Sequence, residues 1–168
     1  MALLCLCALI CSSLEAQEKP PEYAVKAAYL FNFGKFTKWP TENSTFNICV
    51  LGRDPFNGSL DRTVAGDAID GRPIRVRRMT DASHVNECQI LFLSSSEHNR
   101  VESLVAQVQS KPILTVSDMP DFVERGGMIQ FELVNDRVRF TINLRAAREA
   151  KLNLSSDLLV VASRVENR

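Results

Sequence analysis

Residues 88–97, Cys-Gln-Ile-Leu-Phe-Leu-Ser-Ser-Ser-Glu, decide the fold of this 168-residue chain. Gln89 to Leu93 form a continuous apolar run, which is typical of a β-strand that is buried on both faces. Ser94 to Ser96 then offer several N-caps to a helix over residues 97–109. Because a buried strand that leads directly into a helix is the unit of parallel α/β sheets, we expect an α/β fold.

The segments before and after this stretch repeat the alternation of strand and helix. Phe46 to Leu51 (FNICVL) predicts the first strand, and further strands are predicted at 74–79 and 112–116. Helices are predicted at 23–38, 57–65 and 119–125. The Trp39-Pro40 pair is expected to end the first of them, because the residue before a proline is pushed out of the α region. Such alternation implies parallel βαβ units with right-handed crossovers.

The last third of the chain has a different pattern. Residues 128–133 and 137–144 flank Val134-Asn-Asp, which is a hairpin signal. A final helix is expected over 146–165, with a break near 152–156 and a buried stripe of Leu158, Leu159, Val161, Ala162 and Val165. We therefore predict a mostly parallel, flavodoxin-like or Rossmann-like sheet with helices on both faces and a late antiparallel hairpin at its edge.

The N-terminus predicts export. Residues 1–14 (MALLCLCALICSSL) are almost wholly apolar, and Ala16 is a small residue suited to cleavage. The run is too short to span a bilayer, which needs about 20 apolar residues. We expect a signal peptide at 1–16, a leader at 17–22 and a single domain at 23–168, with no membrane insertion after cleavage. A buried N-terminal helix is the alternative.

The cysteines predict one disulfide. Cleavage would remove Cys5, Cys7 and Cys11, which leaves Cys49 and Cys88 in an oxidising compartment. In a flavodoxin-like order the first and third strands are neighbours, so Cys49 in the first strand and Cys88 before the third would lie within bridging distance. Two unrelated buried thiols are the alternative.

A search for catalytic and cofactor motifs finds none. Twenty basic residues balance twenty acidic ones, so no net charge favours nucleic acid. The turn from Gly52 lacks the glycine motifs that bind nucleotide phosphates. His84 and His98 are the only histidines, and the serines beside His98 are better explained as helix caps than as nucleophiles. Neither a catalytic residue, nor a metal site, nor a cofactor is predicted.

Several segments taken in order resemble the YfiR family of exported regulatory proteins. They span about residues 22–165 and comprise VKAAYLFNF from Val25, Trp39-Pro40, FNICVLGRDPF from Phe46, CQILFLSSSE from Cys88, ILTVSD from Ile113 with Phe122, GGMI from Gly126, VRFTIN from Val138 and LNLSSDLL from Leu152. Because these segments occur in the family's order and spacing, the resemblance covers nearly the whole predicted domain.

The resemblance implies a periplasmic protein that restrains an inner-membrane diguanylate cyclase of the YfiN type by binding its periplasmic part. Such restraint lowers cyclic di-GMP and disfavours biofilm growth, and family members tend to form homodimers. Cys49 and Cys88 match the family's disulfide between the first and third strands. The positions equivalent to a second pair, found in some members, hold Val123 and Gln130, so that bridge is absent.

Two function classes follow. The first is a non-enzymatic binding regulator, whose partner or dimer face we place on the late hairpin around Ile129, Phe131, Arg139 and Arg145, because strand edges pair readily. The second is a periplasmic small-ligand sensor that acts with a membrane receptor or sensor kinase. Its pocket would lie at the carboxyl ends of the strands, near Ser94, Ser117 and Asp118. An unrecognised hydrolase is a third alternative.

Overall fold

The computed structural model describes residues 21–41 and 43–167, so the predicted signal peptide and most of the leader lie outside the described residues. The strands are β1 (Thr37–Lys38), β2 (Phe46–Leu51), β3 (Ala68–Ile69), β4 (Arg72–Met79), β5 (Ile90–Leu93), β6 (Leu114–Ser117), β7 (Ile129–Val134), β8 (Arg137–Asn143), β9 (Asn153–Leu154) and β10 (Arg164–Glu166). The α-helices are α1 (Glu22–Lys35), α2 (Ser59–Val64), α3 (Val101–Val108), α4 (Leu144–Glu149) and α5 (Ser156–Val161).

The main sheet confirms the predicted fold class. Its spatial order is β10-β8-β7-β6-β5-β2-β4-β3. From β4 to β7 all neighbours are parallel, and if these five strands are numbered along the chain their order is 2-1-3-4-5. That is the flavodoxin-like order. β8 runs antiparallel to β7, and Asn135 and Asp136 between them both have positive φ, as a two-residue hairpin turn requires.

Two apolar layers cover the faces of this sheet. On one face, α1 packs the ring of Phe33 against Phe131 and Phe140, with centroid distances of 5.7 and 5.0 Å. On the other face, α3 and the turns around it cover Leu91 and Leu93 of β5. The central strands β2 and β5 are therefore buried on both faces, as their apolar runs predict.

The disulfide between Cys49 and Cys88 is present and confirms the prediction. The two Cα atoms lie 5.9 Å apart and the residues are separated by 39 positions. Cys88 follows a short 3-10 helix at Val85–Glu87 and precedes β5. Both cysteines are buried in the layer that contains α3, so the bridge ties the approach to β5 onto the face of β2.

The predicted helix over 23–38 ends earlier than expected. α1 stops at Lys35, and residues 37–38 form β1, which pairs antiparallel with β9 at 153–154. Trp39-Pro40 therefore does not end the helix. The competing interaction is a strand pairing between residues more than a hundred positions apart, which no local pattern reveals.

Two other helices also differ from expectation. The segment predicted as a helix over 97–109 is a 3-10 helix at Ser95–Arg100 followed by α3, with Ser94 as the N-cap of the 3-10 helix. Residues 119–125 form turns instead of a helix, because Asp121 has a φ of +57°, which lies outside the helical region. The chain then turns at Gly126, and the neighbouring Gly127 packs directly against the ring of Phe122.

The predicted final helix over 146–165 is divided into α4, β9, α5 and β10. Asn143 caps α4 and Ser155 caps α5 through bonds to backbone amides. Leu158 is buried as predicted, whereas Val161 is 62% exposed, contrary to the predicted stripe. Since β10 pairs with part of β8, the late hairpin is not the outermost element of the sheet.

Candidate functional site

The three residues predicted for a ligand pocket lie at the carboxyl ends of β5 and β6. Ser117 Oγ donates to the carbonyl of Leu93 and accepts from the amide of Met119, at 2.7 and 3.1 Å. Ser94 is buried and caps the following 3-10 helix. Both hydroxyls are therefore engaged in local backbone bonds.

Asp118 belongs to a charged cluster with the first turns of α1. Its Oδ2 accepts from the Tyr23 hydroxyl at 2.8 Å and from Lys26 Nζ at 2.6 Å. Lys26 Nζ also lies 2.5 Å from Glu22 Oε1 and 4.3 Å from the centre of the Tyr23 ring. α1 thus covers this end of β6 with its own side chains. Burial, followed by the hydrogen bond to Asp118, raises the pKa of Tyr23 above its usual range.

The structure does not bring the three pocket residues together around one cavity. Ser94 lines a shallow surface pocket of about 370 Å³ with Arg53, Pro55, Ser95 and Ser96. Ser117 is fully buried, and Asp118 faces Tyr23 and Lys26. The carboxyl edge of the sheet offers a narrow polar depression beside β5.

The four residues predicted for a partner face are divided between the core and the surface. Ile129 and Phe131 are buried beneath α1, whereas Arg139 and Arg145 are exposed. Arg145 lies in α4, beyond the end of β8, and the four steps of extended strand from Arg139 to Asn143 already separate positions by about 13 Å. The structure therefore places Arg139 near the hairpin turn and Arg145 away from it.

A groove lies between α1 and the turn of the hairpin, and we call it the hairpin groove. It measures about 460 Å³ and is lined by Glu22, Val25, Tyr29, Leu133, Asp136, Arg137, Val138 and Arg139. Half of these residues are apolar or aromatic, and the other half are charged. Apolar area together with charged side chains is the composition of a surface that can bind another protein.

The hairpin groove is accessible because the hairpin extends beyond the rest of the sheet. β7 begins at Ile129 opposite Val116, the third residue of β6, and continues to Val134. Leu133 and Val134 are consequently 54% and 46% exposed. Neither residue was among the predicted site residues, although an apolar pair directly before a hairpin turn is a sequence signal that points to them.

The arginines of β4 are largely paired with carboxylates. Arg78 Nη2 lies 2.9 Å from Asp54 Oδ2 and 2.5 Å from Asp61 Oδ2, and Arg77 contacts Glu87. The hydrogen bond from Arg78 holds the pKa of Asp61 below its usual range. Because nearby carboxylates compensate these cations, the basic stretch of β4 is a weaker attraction for an acidic partner than its sequence suggests.

The histidines are not assembled with a nucleophile. His84 Nδ1 lies 2.9 Å from Glu87 Oε1 on the surface, and the carbonyl of His98 accepts from Arg125 at 3.0 Å. Ser96 Oγ accepts from a backbone amide that follows β2. Across residues 21–41 and 43–167, no three potential metal ligands cluster and no helix is long and apolar enough to cross a membrane.

Comparison with known proteins identifies relatives of this chain. A family model described as YfiR/HmsC-like matches residues 23–163. Among solved structures, a conserved domain protein from Vibrio cholerae O1 biovar El Tor superposes with a TM-score of 0.56 at 10% sequence identity. The match covers 86% of this chain and 60% of the other one, so this chain spans less than two thirds of that protein. At this identity the likeness supports the fold alone.

Proposed function

The chain belongs to the YfiR/HmsC-like family, and we propose on that basis that it is an exported, non-enzymatic regulator. It binds the periplasmic part of an inner-membrane signalling enzyme of the diguanylate cyclase type and restrains its activity, which controls cyclic di-GMP. The observation that carries the proposal is the family match over residues 23–163. The proposed domain spans residues 23–168, follows a cleaved signal peptide, and works in the periplasm as a homodimer.

The hairpin groove supports this proposal because it combines exposed apolar surface with charged side chains, both of which a protein partner can contact. Leu133, which is 54% exposed, provides apolar area to bury, and Arg137 and Arg139 provide cationic charges in a lining that also contains Glu22 and Asp136. Apolar contact provides the driving force of association, and charged groups at the rim give specificity. We propose the hairpin groove as the partner face. Of the four residues predicted for that face, Arg139 is the one that lines the groove.

A cyclase assay on solubilised inner membranes tests the proposal. We expect the mature protein to lower the conversion of GTP to cyclic di-GMP and to be retained with the cyclase on an affinity resin. Leu133→Ser should weaken both effects by removing apolar area from the hairpin groove. Val160→Ser is the matched control, since Val160 is an exposed valine on α5, 82% accessible, and lies outside the groove lining.

Cyclase activity that is unchanged at saturating wild-type protein would contradict the proposal. The alternative, a small-ligand sensor, stays a prediction. It would be favoured if a dialysable component of periplasmic extract raised the unfolding temperature, and if substitution of Arg53 or Ser94 abolished that rise.

A further inference from the structure

The outer edge of β8 is uncovered beside the hairpin groove. β10 pairs with β8 only from Thr141 to Asn143, and the amide of Ser163 adds one bond to the carbonyl of Phe140. Within the described chain no strand pairs with the outer side of residues 137–139. This uncovered stretch is continuous with the lining of the groove.

The backbone polar groups at this edge point outward. Because the carbonyl of Phe140 accepts a bond from the β10 side, it points away from β7. Successive residues of a strand direct these groups to alternate sides, so the amide and carbonyl of Val138 also point away from β7. Val138 therefore presents one donor and one acceptor to an added strand.

The two faces of the edge have different chemistry. Val138 lies opposite Leu133 of β7, and both side chains line the hairpin groove. Because side chains alternate along a strand, Arg137 and Arg139 leave β8 on the other face from Val138, and both are exposed and contribute to the margin of the hairpin groove. Neither arginine forms an ion pair with another described residue, whereas most of the β4 arginines do. An added strand would thus meet apolar surface on one face and, on the other, Arg137 and Arg139, with Glu132 of β7 beyond Arg139.

A second copy of this chain is a poor occupant of the edge. In a two-fold antiparallel pairing centred on Val138, Arg137 of each copy would lie opposite Arg139 of the other. Centring the axis on Arg137 or on Arg139 would place that arginine opposite itself. Like charges directly opposite each other destabilise a strand pair. The charges favour an acidic partner.

We propose that the edge of β8 at residues 137–139 accepts an extended segment of the partner in which acidic and apolar residues alternate. The acidic side chains lie against Arg137 and Arg139, and the apolar ones enter the hairpin groove beside Val138. This inference rests on the proposed function, since it specifies how the periplasmic part of the signalling protein is recognised. Main-chain bonds supply affinity and the alternation supplies specificity.

A fluorescein-labelled peptide, Gly-Glu-Val-Glu-Val-Glu-Gly, tests the proposal by fluorescence polarisation with the mature protein. We expect saturable binding that weakens with added salt. The double variant Arg137→Glu, Arg139→Glu should bind about tenfold more weakly, because two cross-strand attractions become repulsions. Arg75→Glu is the matched control, an exposed arginine on β4 at the other side of the sheet, and should bind like the wild type.

The charge-reversed peptide, with Lys in place of each Glu, should bind to the wild-type protein more weakly than the acidic peptide does. Equal affinity of the wild type and the double variant for the acidic peptide, or no binding at millimolar peptide, would overturn the inference. If the double variant is poorly folded by circular dichroism, Arg137→Gln, Arg139→Gln replaces it, with a smaller expected loss.

This test is separable from the test of the proposed function. If both the wild type and the double variant retain and inhibit the cyclase, the proposed regulatory function is supported and the strand-edge site is contradicted. Conversely, if the peptide binds in a way that depends on Arg137 and Arg139 while the protein has no effect on cyclase activity, the strand-edge site is supported and the proposed regulatory function is contradicted.

Discussion

Lys26 is the most deeply buried charged side chain among the described ion pairs, with 4% of its side chain exposed. Its partners Asp118 and Glu22 are held by β6 and by the first turn of α1. Desolvation offsets most of the gain of a buried pair, but removal of one partner leaves a buried charge without compensation. We therefore expect the pair to contribute more to where α1 docks than to the net stability of the fold.

Asp118→Ala should lower the free energy of unfolding by about 3 kcal/mol, the lower end for a broken buried pair, because Glu22 still contacts Lys26. Urea denaturation measures this. Lys26→Met combined with Asp118→Ala should cost less than the sum of the two single changes, since no buried cation remains. Additive costs would show that the pair is not coupled.

The raised pKa of Tyr23 predicts that the free energy of unfolding falls at alkaline pH. Its folded pKa is raised, first by burial and then by the bond to Asp118, so the native state keeps a proton that the unfolded chain loses. Stability is thus retained below the unfolded value, about pH 10, and falls as the pH rises above it. Tyr23→Phe should lose less stability than the wild type between pH 8 and pH 11. Parallel curves for the two proteins would contradict this.

At the residue scale, the features that could be predicted from the sequence are those that follow from a local pattern or from the number of cysteines. Cys49 and Cys88 could be paired because only two cysteines remain in the predicted mature chain, and because a flavodoxin-like order, one of the two orders expected, makes the first and third strands neighbours. The cluster of Lys26 and Asp118 was not predictable, because 92 positions separate the two residues and each fits a surface role by itself.

At the element scale, the disulfide tethers the segment before β5. Removing it in Cys49→Ala, Cys88→Ala should lower the free energy of unfolding by about 4 kcal/mol, because the unfolded chain regains the entropy of a 39-residue loop. Urea unfolding of the variant and of the reduced wild type should agree closely. Thiol titration of the unreduced native protein should find no reactive thiol, and two reactive thiols would refute the bridge.

The elements that sequence analysis missed are those formed by distant pairing. β2, β5 and the hairpin carry their own apolar patterns and turn residues, so their positions were predicted to within a residue or two. β1 and β9 are two residues each, and neither forms without the other. Their pairing ends α1 early and divides the predicted final helix. The helix predicted at 119–125 failed for a different reason, a positive φ at Asp121.

At the scale of the whole molecule, the sheet has one side suited to a partner. The β4 side is charged and internally compensated, while the hairpin side combines the hairpin groove with the uncovered edge of β8. The parallel α/β class could be predicted from the sequence, because strands and helices alternate along it. Alternation alone leaves a flavodoxin-like and a Rossmann-like strand order both open. The groove could not be predicted, since it depends on how far β7 extends beyond β6 and on where α1 docks.

The most direct test of the central claim is the cellular concentration of cyclic di-GMP in the bacterium that carries this gene. If the protein restrains a diguanylate cyclase, deletion of the gene should raise the cellular concentration of cyclic di-GMP severalfold. Expression of the exported wild-type protein should return it to the original level, and the same protein without residues 1–16 should not. An unchanged or lowered concentration after deletion would contradict the account.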